Sequence, residues 1–264
     1  MDNLVIRTLT TMEELHHMKE VETAVWQMSP LPVHQTFTAI NNGGIILGAF
    51  DGKTMIGFLY SFAGFDGHVP YLCSHMLGIL PAYRTAGLGV KMKLKQAELA
   101  RNMGYQMITW TFDPLESRNA YLNLHKLGAT GSIYKENYYG SMTDELNQGL
   151  PTDRIHIKWD INKNHTASNI PFTKEKLLLD TSPKGSPLIT DIFYSNPFKT
   201  AEDLYMAIPS NFQEIKQADF QLAKKWRMET RKVFQALFEN GYQARDLIKG
   251  HTGKLNYYAF THKK

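Results

Sequence analysis

Apolar positions recur along this chain in two periods, and the change from one to the other marks its elements. Alternating or continuous apolar runs predict strands at Leu4–Thr8, 44–50, 54–64 and 71–80, with Asp51-Gly52 as a tight turn between the second and third. A period near 3.6 predicts a helix that starts at Thr11 and runs through Leu15, Met18, Val21 and Val25 to about Trp26. Glu14 stands three residues after Thr11 and completes a capping box. Pro30 and Pro32 break the chain before a short helix over 34–41. A longer helix spans 88–102, closed by Gly104 and followed by a strand at 107–112. A helix over 118–127, capped by Ser117 and ended by Gly128, precedes strands at 132–138 and 154–161.

The stretch 162–170 is polar and then reaches Pro171, which reads as a linker between residues 1–161 and 171–264. The second part has strands at 188–194, 204–208, 244–248 and 255–261. Between them lies a helix capped by Asp219 and carrying Leu222, Trp226, Val233 and Leu237 on one side. That helix closes in Asn240-Gly241-Tyr242, much as the earlier one closes in Asn102-Met103-Gly104-Tyr105. The strand–helix–strand order recurs too, so the second part reads as a degenerate half repeat of the first. The fold class expected is α+β (mixed α/β), a central mixed sheet with a C-terminal α+β extension.

Length and charge narrow the field. A chain of 264 residues can bury a sizeable core. With 29 Lys+Arg against 25 Asp+Glu, the net charge of +4 suits an anionic ligand but does not argue for nucleic acid. Lys224, Lys225, Arg227, Arg231 and Lys232 line the late helix, read here as a solvated face in preference to a nucleic-acid surface. Cys73 is the single cysteine, which excludes an internal disulfide. No zinc-ligand spacing occurs, and the neighbours His16 and His17 cannot face one metal from a helix. No apolar stretch reaches membrane-spanning length and the first residues lack a signal-peptide pattern, so the cytoplasm is the expected compartment.

The densest chemistry lies between the strand 71–80 and the helix 88–102. Pro81 ends the strand, and Arg84-Thr85-Ala86-Gly87-Leu88-Gly89 leads into the helix. Glycines let the backbone turn and approach a ligand, and the unpaired N–H groups of a helix start favour phosphate. A dinucleotide fingerprint fails because Met92 stands where the third glycine or alanine belongs. A Walker loop fails because Leu47 stands where Gly52-Lys53-Thr54 would need its partner glycine.

This turn resembles the pyrophosphate loop of the GNAT superfamily of acyl-CoA-dependent N-acyltransferases. Asn119-Ala120 and Lys126-Leu127-Gly128 resemble that superfamily's second signature helix; Ala129 replaces its usual aromatic, and Leu124 its usual tyrosine. The segments Ser74-His75-Met76-Leu77-Gly78, Trp110-Thr111-Phe112-Asp113-Pro114-Leu115 and Asn137-Tyr138-Tyr139-Gly140 look like a subgroup of predicted bacterial acetyltransferases with a C-terminal extension. The resemblance covers roughly residues 1–161. It implies a GNAT fold with a twisted sheet and a βαβ acyl-CoA core, and acetyl-CoA or another acyl-CoA as co-substrate without a metal. It implies direct attack by an amine of a small or amino-acid-like acceptor, with no membrane partner, nucleic acid disfavoured, and a homodimer as one assembly to consider.

By the same resemblance, Leu77, Gly78 and Ile79 would hold the pantetheine arm through backbone groups. Arg84, Thr85, Ala86, Gly87, Leu88, Gly89 and Val90 would hold the pyrophosphate, with Asn119 and Lys126 as further cofactor contacts. Trp26, Pro32 and Phe37 fall where the family builds a wall of its acceptor pocket, though core packing is the simpler account of each. His75 stands where many relatives carry a glutamate base, and strand alternation would put it on one face with Leu77 and Ile79. Asp113 and Glu116 are the alternatives for holding or deprotonating the amine. With Leu124 in place of the family tyrosine, Tyr121 is the candidate acid, and Tyr138 and Tyr139 stand behind it. Cys73 is not needed as a nucleophile. A binding module without turnover, and a nucleic-acid-binding regulator, are the competing functions.

Overall fold

The computed structural model describes residues 4–84, 87–140, 149–163 and 170–263. The chain divides into two compact units, 1–110 with 159–164, and 111–158 with 165–264. Compactness therefore divides it within the strand at 107–112, after residue 110, and again on either side of 159–164, whereas the polar stretch suggested 162–170. Segment 111–158 packs with the C-terminal residues, and the reason lies in the ion pairs described below.

In the first unit, β1 (Leu4–Thr8), β2 (Ile45–Asp51), β3 (Thr54–Phe65) and β4 (Pro70–Ile79) pair antiparallel in that order. β4 then pairs in parallel with β5 (Met107–Phe112), and α3 (Leu88–Asn102) joins the two. α1 (Met12–Trp26) begins with the expected capping box: Thr11 Oγ1 accepts from the Glu14 amide and Glu14 accepts from the Thr11 amide, each at 3.2 Å. α1 and α2 (Val33–Ile40) pack Leu15, Met18, Val21, Trp26 and Phe37 with Ile46, Phe58 and Tyr60 of the sheet. The Asp51-Gly52 turn and the span of α3 fall where the sequence predicts them, with Gly104 at φ +89° just past the helix end.

The β3–β4 ladder slips once. Tyr60 faces Met76 but Ser61 faces Ser74, so His75 is the extra residue of a β-bulge. Simple alternation does not carry across a bulge, and the expected common face of His75, Leu77 and Ile79 fails there.

The second unit orders its strands β7-β6-β11-β12-β10-β8-β9. These are β6 (Thr130–Lys135), β7 (Arg154–Asp160), β8 (Leu177–Thr181), β9 (Pro187–Ile189), β10 (Leu204–Pro209), β11 (Tyr242–Lys249) and β12 (Leu255–His262). The last two residues of β5 fall in this unit, and the last two of β7 in the first. Its helices are α4 (Ser117–Ala120), which continues as a π-helical stretch Tyr121–Lys126, then α5 (Asp191–Tyr194), α6 (Phe212–Ala218) and α7 (Phe220–Glu239). Asp219 caps α7 through the Leu222 amide at 2.9 Å. Ser117 does not cap α4; Glu116 holds that position, and the Ser117 hydroxyl accepts from Asn256 Nδ2 at 2.6 Å. The expected strand 188–194 splits into β9 and α5, and the expected strand 132–138 stops at Lys135. β10, α7 and β11 form a strand–helix–strand run. Its two strands point the same way but are separated by β12, unlike the adjacent β4 and β5. Among the described residues, no helix is long and apolar enough to cross a membrane.

Candidate active site

β4 and β5 form a fork. Their parallel register covers Leu72 with Ile108 and Cys73 with Thr109, while β4 continues to Ile79 with only β3 beside it among the described residues. The Leu80 amide bonds Ile56 on the β3 side, so by alternation the backbone groups of Leu77 and the amide of Ile79 face the other edge and are left for a ligand. Gly78 is required here: a Cβ would come 2.7 Å from Phe58 Cε1 and 3.0 Å from Trp26 Cη2. The Trp26 ring thus seats directly on the central strand, 5.5 Å from the Phe58 ring.

The turn beyond the fork is anchored by Arg84, whose Nε donates to the Ile79 carbonyl at 3.0 Å. Gly87 is the N-cap of α3 at φ +67°, with no atom within 4 Å of a Cβ placed there. The first α3 amide bonded back to the chain is Lys91, to the Gly87 carbonyl at 3.2 Å. The amides of Leu88, Gly89 and Val90 precede it and have no carbonyl within the helix, which leaves an anion-ready helix start. Thr85 and Ala86, expected as pyrophosphate contacts, lie outside the described residues.

His75 presents an exposed side chain whose ring lies 5.9 Å from both the Tyr60 and the Phe62 rings. Desolvation by the surrounding strand and rings lowers its pKa, so the imidazole is neutral and able to accept a proton near pH 7. Cys73 is half-buried, and burial raises its pKa against the opposing effects of Lys93 and a Thr109 hydrogen bond. A thiol held protonated is a poor nucleophile.

Lys93 escaped the sequence reading. It is 3% exposed on the inner face of α3 and donates to Ser74 Oγ at 2.9 Å and Gln96 Oε1 at 3.1 Å. Its Nζ lies 3.6 Å from the centroid of the Trp110 ring. Burial pushes its pKa down to about 7, with Cys73 acting in the opposite direction. The signal was present in the sequence: Lys93 and Gln96 fall on the stripe that otherwise buries Leu88, Met92, Ala97 and Ala100.

In the second unit Asp113 is committed to an ion pair, which removes it as a free base. Arg227 grips it with both terminal nitrogens, at 2.8 and 2.5 Å, and Arg154 approaches to 3.7 Å. The solvated-face reading of the late helix is corrected for two residues. Arg227 is 2% exposed, and Arg231 bonds both oxygens of the buried Asp153 at 2.8 Å. Lys224, Lys225 and Lys232 remain exposed, as expected. Glu116 is half-buried; burial, then the nearby Asp113, raises its pKa, and Gln213 Nε2 donates to it at 2.5 Å.

Tyr121 stacks on His125 at 4.5 Å between ring centroids, with Lys249 Nζ 4.4 Å and Lys126 Nζ 5.5 Å from its ring. The His125 Nδ1 meets the buried Asp246 carboxylate at 2.9 Å. Asn119 and Lys126 are exposed, while Leu124 is 0% exposed and offers no hydroxyl. Tyr138 and Tyr139, the reserve acids, are surface residues, and the Tyr139 hydroxyl shares a hydrogen bond with Thr111 Oγ1 at 3.1 Å. Among the described residues, no cluster of three or more His, Cys, Asp or Glu could hold a metal ion.

Residues 11–129 match the model of the acetyltransferase (GNAT) family. YncA of Salmonella typhimurium, solved with its cofactor acetyl-CoA, is 16% identical; the match covers 64% of this chain and 99% of YncA, with a TM-score of 0.50. The ribosomal-protein-S18-alanine N-acetyltransferase of Escherichia coli gives the same identity of 16%, the same coverage of 64% and 99%, and a TM-score of 0.50. At that identity the likeness is one of fold. No curated protein sequence matches the chain.

Proposed function

We propose, from the match of residues 11–129 to the acetyltransferase (GNAT) family, that the chain transfers an acyl group, most simply acetyl from acetyl-CoA, to the primary amine of a small or amino-acid-like acceptor. The observation that carries this reading is the fork: β4 runs six residues beyond its last parallel pair with β5, from Ser74 to Ile79, and leads through the glycine turn into a bare helix start. Pyrophosphate sits on the amides at the start of α3, and the pantetheine amides pair with the open edge at Leu77 and Ile79. This is the use of backbone groups that leaves side-chain identity nearly free. The acetyl-CoA named with YncA supports acetyl over a longer chain.

The acceptor amine attacks the thioester carbonyl directly, without a metal. His75 accepts or relays its proton, and its lowered pKa keeps the ring in the accepting form. Glu116, with a raised pKa, is the second carboxyl-based candidate for that role, and Tyr121 with Asn119 and Lys126 contributes from the signature helix. Residues 1–161 make up the transferase module in this reading, with 171–264 as the extension that braces its second half.

Calorimetry with acetyl-CoA and a thiol-release assay over a panel of amines and amino acids test the proposal together. Binding with steady CoA release from some amine is the expected result, and absence of acetyl-CoA binding defeats it. The buried Leu124 favours a second reading, an acyl-CoA-binding module with little turnover. Tight binding with no CoA release across the panel would select that one.

A further inference from the structure

Ser74 and Trp110 are the first residues past the last β4–β5 ladder pair, one on each strand. Lys93 touches both, through the Ser74 hydroxyl at 2.9 Å and the Trp110 ring at 3.6 Å, so its amine sits at the apex of the fork. No carboxylate pairs with it among the described residues; its partners are a hydroxyl, an amide oxygen and an aromatic face. A buried cation without a counter-ion is costly, and an apolar side chain would fill the same space without that cost. Beside it, the buried Gln96 Nε2 is a donor without a partner. Two donors short of an acceptor suit an anion that comes and goes.

We propose that Lys93, acting through Ser74, provides the positive charge and the proton for the CoA thiolate that leaves during acyl transfer. The inference rests on the acyl-CoA reading above. With pyrophosphate at the start of α3 and pantetheine beside Ile79 to Leu77, the arm runs down β4 toward Ser74. The five-residue step from Ile79 to Ser74 spans about 16 Å of strand, comparable to an extended pantetheine arm.

As the acceptor nitrogen bonds to the carbonyl carbon, the carbon–sulfur bond breaks and its electron pair stays on sulfur. Ser74 Oγ–H gives its proton to the sulfur while Ser74 Oγ takes one from Lys93 Nζ. The products are the amide, the CoA thiol and a neutral lysine. The acceptor nitrogen sheds its proton to water by way of His75, and Lys93 regains one from water, so charge and atoms balance. An amine whose pKa burial has brought to about 7 can both hold and release that proton near neutrality. The titrating group that acts on it is Cys73 of β4, while the His75 ring lies against Tyr60 and Phe62. Thr109 and Trp110 of β5 and Gln96 of α3 do not titrate. This arrangement does the work that the apolar Leu124 cannot.

The test is to titrate the thiol of bound CoA by its thiolate absorbance, subtracting the protein alone to remove Cys73. It needs no knowledge of the acceptor. Measured below about pH 7, where Lys93 carries its charge, the thiol of CoA bound to the wild-type protein should show an apparent shift of about one pH unit or more toward ionisation, roughly a tenfold gain in thiolate over free CoA. In Lys93→Met, with CoA binding verified by calorimetry, that shift should vanish. A bound thiol that ionises as in free CoA, or an equal shift in Lys93→Met, overturns the inference while leaving the acyl-CoA reading intact. Should Lys93→Met fail to fold, the wild-type titration and Ser74→Ala decide the matter. Failure of the wild-type protein to bind CoA at all would instead remove the reading on which this rests.

Discussion

A single slipped residue gives His75 its position, and a bulge re-aims a side chain while bending the strand locally. The sequence identified the histidine and its strand but not the bulge, because a ladder slip depends on the partner strand. His75→Gln should therefore leave the fold intact and lower kcat by about 10²–10⁴, the usual worth of a general base. Since partial desolvation by its neighbours lowers the His75 pKa, its accepting form prevails down to a lower pH than in a free imidazole. The acid limb of the wild-type pH–rate profile should lie below about pH 6.5, and the variant should lose it. An unchanged profile in the variant would move the search for the base to Glu116. Lys93 gives a prediction of opposite kind. Its pKa falls from 10.5 unfolded to about 7 folded, so the unfolded chain binds an extra proton between those values. Stability from this group accordingly rises with pH through that window and is lowest below it. Lys93→Met should melt higher than wild type at pH 7, with the gap closing toward pH 10. A variant that melts lower at pH 7 and by the same margin at pH 10 would show that burial of the charge costs the fold nothing.

Elements were legible where their signals are local. The Thr11–Glu14 box, the Asp219 cap, the Asp51-Gly52 turn and the glycine start of α3 are all written within a few residues, and all appear as read. β8 and α6 were missed because five and seven residues are too few to establish a period. The partners of α7 were invisible for another reason: a charged stripe looks the same whether it faces water or the carboxylates of a distant segment. Two variants probe these elements. Gly87→Ile fills the open space before the α3 amides and should weaken acetyl-CoA binding tenfold or more, roughly 1.4 kcal/mol. Because Gly87 has positive φ, Gly87→Ala serves beside it as the less strained form, and unchanged affinity in both folded variants would place the pyrophosphate elsewhere. Arg227→Met strands Asp113 with only the longer contact to Arg154, and should cost about 3–5 kcal/mol in denaturant unfolding. A loss under about 1 kcal/mol would mean the pair behaves like a surface one.

At the scale of the whole molecule, the signature helix and the C-terminal residues belong to one compact unit, although more than a hundred residues separate them in sequence. Asp113 is held by Arg227, Asp153 by Arg231, and Glu116 by Gln213. His125 meets Asp246, and β6 pairs with β11 through Gly131 and Ala244. Tyr258 donates to the Pro114 carbonyl at 2.8 Å from a wholly buried position. A chain ended at residue 163 keeps every residue matched by the family model, and motif reading alone would expect it to work. Physically it loses every one of these partners, leaving the 0%-exposed Asp153 without Arg231, the nearly buried Asp113 with only the 3.7 Å contact to Arg154, and one edge of β6 unpaired. Each uncompensated buried carboxylate costs several kcal/mol, which is comparable to the whole stability of a domain once two or three are summed. The truncated protein should therefore lack a cooperative melt, and its near-ultraviolet circular dichroism should be weak while helix signal persists. Adding residues 165–264 as a separate chain should restore the melt if the partners find one another. A truncated protein that melts cooperatively and binds acetyl-CoA as tightly as the full chain would refute this dependence and make the C-terminal half an accessory to the fold.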